Sequence, residues 1–297
     1  MTDAVRIAAH AKINLFLRIL AREAATGYHQ IETAFALLDL ADELVVRRVP
    51  RGVTLTVAGP DLGPMEENLA VRAARAVLDA TGNTFGVALE LTKRIPVRAG
   101  LGGGSSDAAA ALHAVNALAG GAVPRPELSL LASRLGADVA FFGSGAPAAL
   151  AWGRGERLFR LPGPPAAPAL VAVPPVAIAT PDAYRWWDEA NAVPAARGPV
   201  TLEPEAFGGW GSLGRLGGND FEIPVFGRQP PLRTLFERVA ATHPYWVRLC
   251  GSGGAVAAVY ATERLRDEAA DQLGERQQHL IRTATRATPP AGPEALP

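Results

Sequence analysis

Apolar residues at Ile13, Leu15, Leu17 and Ile19 recur at every second position, with polar Asn14 and Arg18 among those between, which is the two-residue period of a half-buried strand. The runs Leu44–Arg48 and Val53–Val57 are short and β-like, and Pro50-Arg51-Gly52 between them is a turn signal. Gly86–Thr92 alternates again. Asn68 is placed to cap a helix running to about Thr81, with Gly82 as its stop. After a glycine run at 100–104, an alanine-rich helix extends to Leu118 or Ala119, where Gly120-Gly121 ends it. Glu127–Leu135 reads as a helix and Ala146–Trp152 as a strand. The Pro-rich stretch Leu161–Pro168 is the best linker, because strand signals resume on both sides of it. Beyond it the pattern predicts helices near Ala183–Ala192, Leu232–Thr242 and Glu263–Leu273. It predicts strands near Leu170–Val173, Val247–Leu249 and Val256–Tyr260. Residues 288–297, rich in proline and alanine, are expected to fray. No internal repeat is visible. Strands and helices intermix with strands clustered early, so an α+β class is expected rather than a doubly wound sheet.

Composition narrows this further. A chain of 297 residues is long for one domain and comfortable for two. Hydrophobic residues make up 48% and charged residues 20%, a globular balance rather than a disordered one. The 29 basic and 29 acidic side chains cancel, which argues against a nucleic-acid partner held by a broad basic field. The single cysteine, Cys250, excludes an internal disulfide, and histidine and cysteine are too scattered for a structural zinc site. Prolines break the most apolar stretch, Pro165–Ala179, so no membrane span is expected. The N-terminus shows no signal-peptide pattern, and a cytoplasmic protein is the default expectation. Only two of the 29 basic residues, Lys12 and Lys93, are lysine. A chain that uses arginine everywhere else gives those two positions added interest.

The strongest chemical signal is Gly100-Leu-Gly-Gly-Gly-Ser-Ser-Asp107. Four glycines within five positions permit turns closed to other residues and let a ligand approach the chain. The helix that follows offers unpaired N–H groups and a positive dipole end, a natural anion site with phosphate as its guest. The alternative is a flexible turn with Ser105 or Ser106 as an ordinary N-cap. No lysine follows the last glycine, as a Walker A loop requires, and the spacing does not fit a dinucleotide fingerprint. The cluster Gly251-Ser-Gly-Gly254 reads as a hairpin turn or as a second close-approach loop beside a ligand.

Lys12, at the start of the alternating strand, suits a strand end or a wet pocket. Asp138 precedes an apolar run, so it is either a helix cap or a functional acid or base. Tyr28-His29 reads as a surface turn or as an aromatic and hydrogen-bonding reader of a ring.

Lys12, Pro96-x3-Gly100-Leu-Gly-Gly-Gly-Ser-Ser-Asp-Ala-Ala109 and Gly251-Ser-Gly-Gly254, in that order, resemble the GHMP kinase superfamily and span nearly the whole chain. More specific are Ala11-Lys-Ile-Asn-Leu15, Gly27-Tyr-His29, Glu67-Asn-Leu69, Lys93-Arg-Ile-Pro96, Gly136-Ala-Asp-Val139 and Asn219-Asp-Phe-Glu222. Within the superfamily they resemble the branch acting on a cytidine diphosphate derivative. The resemblance implies an N-terminal ATP-binding α+β domain, placed over 1–162, and a C-terminal ferredoxin-like α/β sandwich, placed over 163–287; composition leaves 288–297 as a disordered tail. It implies ATP with Mg²⁺, without naming the metal's ligands. Asp138 would accept the proton of the 2-hydroxyl of a methylerythritol unit, with Lys12 as its electrostatic partner. Asn68 and Lys93 would border the adenosine. Pro96 and the loop Gly100, Leu101, Gly102, Gly103, Gly104, Ser105 and Ser106 would cradle the phosphates. Tyr28 and His29 would recognise cytosine, Asn14 would touch the substrate, and Tyr184 would stack on the base.

Two departures stand out. Ala140 replaces a proline frequent in the family, and Glu189–Gly218 matches poorly. Competing expectations are a GHMP-type kinase of another small alcohol, such as a sugar, homoserine or a mevalonate-like acid, and a catalytically silent nucleotide-binding module. Neither a nucleic acid nor a membrane is expected as a partner, and the oligomeric state is left open.

Overall fold

The computed structural model describes residues 3–191, 202–274 and 278–297; residues 192–201 of the poorly matching segment lie outside them. β1 (Ala4–Arg22) and β2 (His29–Val49) form one long antiparallel pair. Bulges between His10 and Lys12, Asn14 and Phe16, and Ile19 and Ala21 reset the alternation. No single two-residue period therefore runs through β1, and only its middle is predicted from pattern.

The first half continues with β3 (Val53–Ala58), α1 (Leu69–Ala80), β4 (Gly86–Thr92), α2 (Gly103–Leu118), α3 (Arg125–Leu135), α4 (Ala137–Gly143), β5 (Ala148–Gly153) and β6 (Arg157–Leu161). The second half has β7 (Pro168–Val173), α5 (Thr180–Ala190), α6 (Trp210–Leu213), α7 (Glu222–Arg228), α8 (Pro230–Ala240), β8 (Trp246–Leu249), β9 (Val256–Val259), α9 (Glu263–Leu273), β10 (His279–Ala284) and β11 (Glu294–Ala295).

Two sheets result. The larger has the order β11-β1-β2-β4-β3, and β5 pairs with the N-terminal part of β2 and carries β6 at its edge. The smaller is antiparallel with order β10-β7-β9-β8, the strand order of a ferredoxin-like unit and the α/β sandwich expected. The second sheet begins at Pro168, past the expected division at 162/163.

Three buried clusters explain the layering. Val71, Val77, Leu112, Val115 and Phe141 from the N-terminal helices cover one face of the large sheet at Phe35, Val87 and Leu89. Its other face presents Ile13, Leu15, Phe16, Ala34 and Ala36 to Val171, Trp246, Ala257 and Val259 of the small sheet. Helices close the far side of the small sheet through Leu232, Leu235, Val239 and Leu273. Burial of apolar surface thus joins the sheets face to face, and the buried Trp246 indole donates across that join to the Leu15 carbonyl at 3.0 Å. No helix among the described residues is long and apolar enough to cross a membrane.

The expected frayed tail is corrected. Residues 294–295 pair with β1, with Val5 opposite Ala295, and the Leu296 amide donates to the Ala4 carbonyl at 2.9 Å. An edge strand has unpaired backbone groups to offer, and these hold a segment whose composition alone predicts none.

Candidate active site

Lys12 and Asn14 are two residues apart on β1 and so share a face. Both are buried, at 3% and 1% exposure. The Lys12 ammonium donates to Asn14 Oδ1 at 2.7 Å, Asn14 Nδ2 donates to Thr33 Oγ1 at 2.9 Å, and Thr33 donates to the Phe16 carbonyl at 2.6 Å. Such a satisfied chain fixes each member's orientation. Lys12 is therefore mid-strand rather than at a strand end, and of the two places its neighbours suggest it takes the edge of a pocket. Asp138, in the first turn of α4, comes within 3.6 Å of the Lys12 ammonium and keeps a third of its side chain exposed. Gly136 holds the cap position of α4, so Asp138 is not a cap and its carboxylate is left for the cavity.

The glycine loop lies beside this pair. Gly102, in the left-handed region at φ 73°, caps α2, and the helix begins at Gly103. This corrects the reading of Ser105 or Ser106 as the cap. The first amide bonded back along the helix is that of Ser106, to the Gly102 carbonyl at 2.9 Å. The N–H groups of Gly103, Gly104 and Ser105 are thus left without an intrahelical acceptor. Leu101 is buried, and its carbonyl accepts the Lys12 amide at 3.0 Å, so its own share in the loop is backbone placement.

Gly100 has φ 79°, and a Cβ there would fall 1.9 Å from the Cys250 carbonyl oxygen. The loop is packed that tightly against the turn 250–255 between β8 and β9. This turn is the antiparallel hairpin its glycines allow, and its backbone packs closely on the glycine loop. Asn14 Oδ1 accepts from the Gly251 amide at 3.1 Å, and Asn219 Nδ2 donates to the Leu249 and Gly251 carbonyls at 2.9 and 2.6 Å. Asn219 thus holds the hairpin, a role its motif did not indicate. Burial of the enclosed Cys250 thiol pushes its pKa up to about 12, so it is no nucleophile at neutral pH.

Two cavities meet at the loop. A large one of about 1480 Å³ is bordered by Lys12, Asn14, Tyr28, His29, Asp138, Tyr184, Asp188 and Ser252. A smaller one of about 350 Å³ is bordered by Asn68, Lys93, Pro96, Gly103, Gly104 and Asp107. Gly100, Gly102 and Ser105 border both. Ser106, by contrast, is buried beneath the loop.

Some expected residues are engaged elsewhere. Asn68 caps α1, its side-chain oxygen accepting from the Ala70 amide at 2.9 Å. The Lys93 ammonium is enclosed by two carboxylates, donating to Asp42 and, at 2.8 Å, to Asp107. Its charge is spent inside the protein, so toward an adenosine it offers only its place in the wall. Tyr28 is 59% exposed, with the Arg154 guanidinium 4.1 Å from its ring centroid. Tyr184 stacks on His29 at 4.4 Å, so one of its faces is already covered. Burial and the nearby Asp138 charge push its hydroxyl up to about 12, which keeps it protonated. Sequence reasoning gave no role to Asp42, Asp107 or Asp188. For Asp188 a signal existed, since it follows Tyr184 by four residues and shares its helix face.

The GHMP kinases N terminal domain matches residues 68–146, and the GHMP kinases C terminal domain matches residues 205–279. A 4-diphosphocytidyl-2-C-methyl-D-erythritol kinase of Solibacter usitatus is 38% identical over 96% of this chain and 90% of its own length. The kinase of the same name from Symbiobacterium thermophilum is 37% identical over 94% and 98%. A solved 4-(cytidine 5'-diphospho)-2C-methyl-D-erythritol kinase superposes with a TM-score of 0.79 at 37% identity, covering 94% of this chain and 98% of that one. A homoserine kinase of Cytophaga hutchinsonii, with a TM-score of 0.71 at 17% identity over 100% and 98% of the two chains, shares the fold.

Proposed function

The chain belongs to the GHMP kinase family, and we propose that it transfers the γ-phosphoryl group of ATP to the 2-hydroxyl of 4-diphosphocytidyl-2-C-methyl-D-erythritol, in the non-mevalonate isoprenoid pathway. The observation that carries this reading is the glycine loop as a wall common to two cavities. A triphosphate lying along that loop, with its nucleoside in the smaller cavity, brings its terminal phosphate toward Lys12 and Asp138. The larger cavity has room for a nucleoside diphosphate ester on the other side.

Phosphoryl transfer asks little covalent chemistry of a protein; position and charge do most of it. Asp138, partly open to the cavity, takes the hydroxyl proton as the oxygen attacks. Lys12, held by Asn14, offsets the charge that builds on the transferring group. The unpaired N–H groups at the start of α2 hold the phosphates. Tyr28 and His29 face the cytosine end, and Asn14 ties the substrate side to the hairpin.

Mg²⁺ fits this donor set as an escort of ATP. The described residues contain no cluster of three or more carboxylate, histidine or cysteine ligands, and Mg²⁺ on nucleotides is held chiefly by phosphates and water with one or two protein oxygens. Ser105, which borders both cavities, would offer its hydroxyl oxygen to it. When bound, it neutralises phosphate charge. The relatives' names do not favour another alcohol as acceptor.

Purified protein given ATP, Mg²⁺ and the cytidyl substrate should release ADP. Asp138→Asn, nearly the same shape but unable to take the proton, is expected to lower kcat by about 10²–10⁴-fold with KM little changed. Turnover equal to that of the Asn variant would defeat the reading.

A further inference from the structure

His29 opens β2 and is 9% exposed. Three residues of α5 fix its ring. Tyr184 stacks on its face at 4.4 Å and 17°, Trp187 meets it edge-on at 5.7 Å, and Asp188 Oδ1 lies 2.7 Å from Nε2. An ionised carboxylate has no proton to give, so the proton of this hydrogen bond belongs to Nε2. The other Asp188 oxygen is 3.3 Å from the Arg22 guanidinium. That cation offsets the carboxylate's charge. Nδ1 has no protein partner among the described residues, and His29 borders the large cavity. A neutral imidazole protonated at Nε2 presents Nδ1 as an acceptor.

We propose that Asp188 is a positioning residue for base selection. It keeps the His29 proton on Nε2, so that Nδ1 accepts from a base carrying an exocyclic amino group, cytosine, and rejects uracil, which offers an oxygen at the same place. This rests on the cytidyl-substrate reading above. A donor facing an acceptor is stabilising, whereas two acceptors facing each other leave a polar group unpaired. The Tyr184 stack holds the plane in which the distinction is made, and Asp188 chooses the tautomer.

CDP and UDP binding to the full chain, measured by calorimetry, tests this together with ¹⁵N spectra of the His29 ring. The unaltered protein is expected to bind CDP about tenfold tighter than UDP or better, with His29 as the Nε2–H tautomer. Asp188→Ala should bring the two affinities within about threefold and let Nδ1–H appear. Asp188→Asn, whose amide oxygen can still accept from Nε2, should keep most of the preference. An unchanged CDP/UDP ratio in Asp188→Ala, an equal loss of both ligands, or an Nδ1–H tautomer in the unaltered protein overturns the proposal while leaving the cytidyl substrate standing. Absence of any CDP preference in the unaltered protein overturns both.

Discussion

The two lysines of this chain occupy opposite kinds of surroundings. Lys12 meets one carboxylate, Asp138, at 3.6 Å, and that carboxylate keeps 35% of its side chain exposed. Lys93 sits between Asp42 and Asp107, whose side chains are 0% and 3% exposed. Around Lys93 two carboxyl groups share one cation and water is excluded, so the group is committed to structure. Its two carboxyl partners tie the start of α2 to β2 and, through Asp42 Oδ1, to the Ile95 amide at 2.8 Å. Around Lys12 the charges match and one partner stays wet, so the pair can be rearranged by a ligand. The comparison shows that burial of a cation does not by itself mark function. What its partners would do in its absence separates the two cases.

Substituting each lysine by methionine should separate them most widely. Lys93→Met leaves two carboxylates that water cannot reach, and a loss of about 3–5 kcal/mol is expected in denaturant unfolding. Lys12→Met leaves Asp138, which solvent can hydrate. Its stability should fall much less, while kcat drops by about 10²–10³-fold. If Lys93→Met proved the more stable variant, the contrast would collapse.

A smaller effect is expected with pH. Burial raises the Asp107 carboxyl from 3.8 to about 7, against the pull of Lys93 and with the push of Asp42. The folded protein therefore holds this proton more tightly than the unfolded chain. Its contribution to stability declines as pH rises from about 4 to about 7 and stays low above that. Asp107→Asn has no such proton, so its melting temperature relative to the parent should rise between about pH 4 and pH 7. A constant difference would show that Asp107 does not titrate in that range.

The smallest effect concerns the loop between the two lysines. Gly104 lies in α2 with open space where a Cβ would sit. Gly104→Ala should stabilise the nucleotide-free protein by up to about 1 kcal/mol, yet raise KM for ATP if the phosphates lie along the loop as proposed, because the methyl group would then stand in their way. Unchanged KM would move the phosphates away from that face.

Local signals in the sequence were read well. Asn68 and Gly82 bracket α1, the glycine run leads into α2, and Glu263–Leu273 is helical at the positions predicted. Each rests on contacts within a few residues. The bulged β1 and the strand at 294–295 depend on pairing with distant backbone, which leaves no mark on local periodicity. Lys12 and Asp138 stood out through chemistry and resemblance. The engagement of Lys93 did not, because Asp42 lies 51 residues away with nothing in its own neighbourhood to reveal it. His29 and Asp188, separated by 159 residues, are likewise joined only by the fold.

The hydrogen bond from Gly251 to Asn14 spans 237 residues, and that from Trp246 to Leu15 spans 231. Asn14 is also what orients the Lys12 ammonium. During synthesis the first strand leaves the ribosome long before the hairpin that completes its surroundings, and closing so long a loop is slow. Catalytic competence is therefore a late event in the life of each molecule. In refolding, recovery of ATP turnover should trail recovery of helical signal, with the delay set by docking of the hairpin rather than by formation of the first sheet.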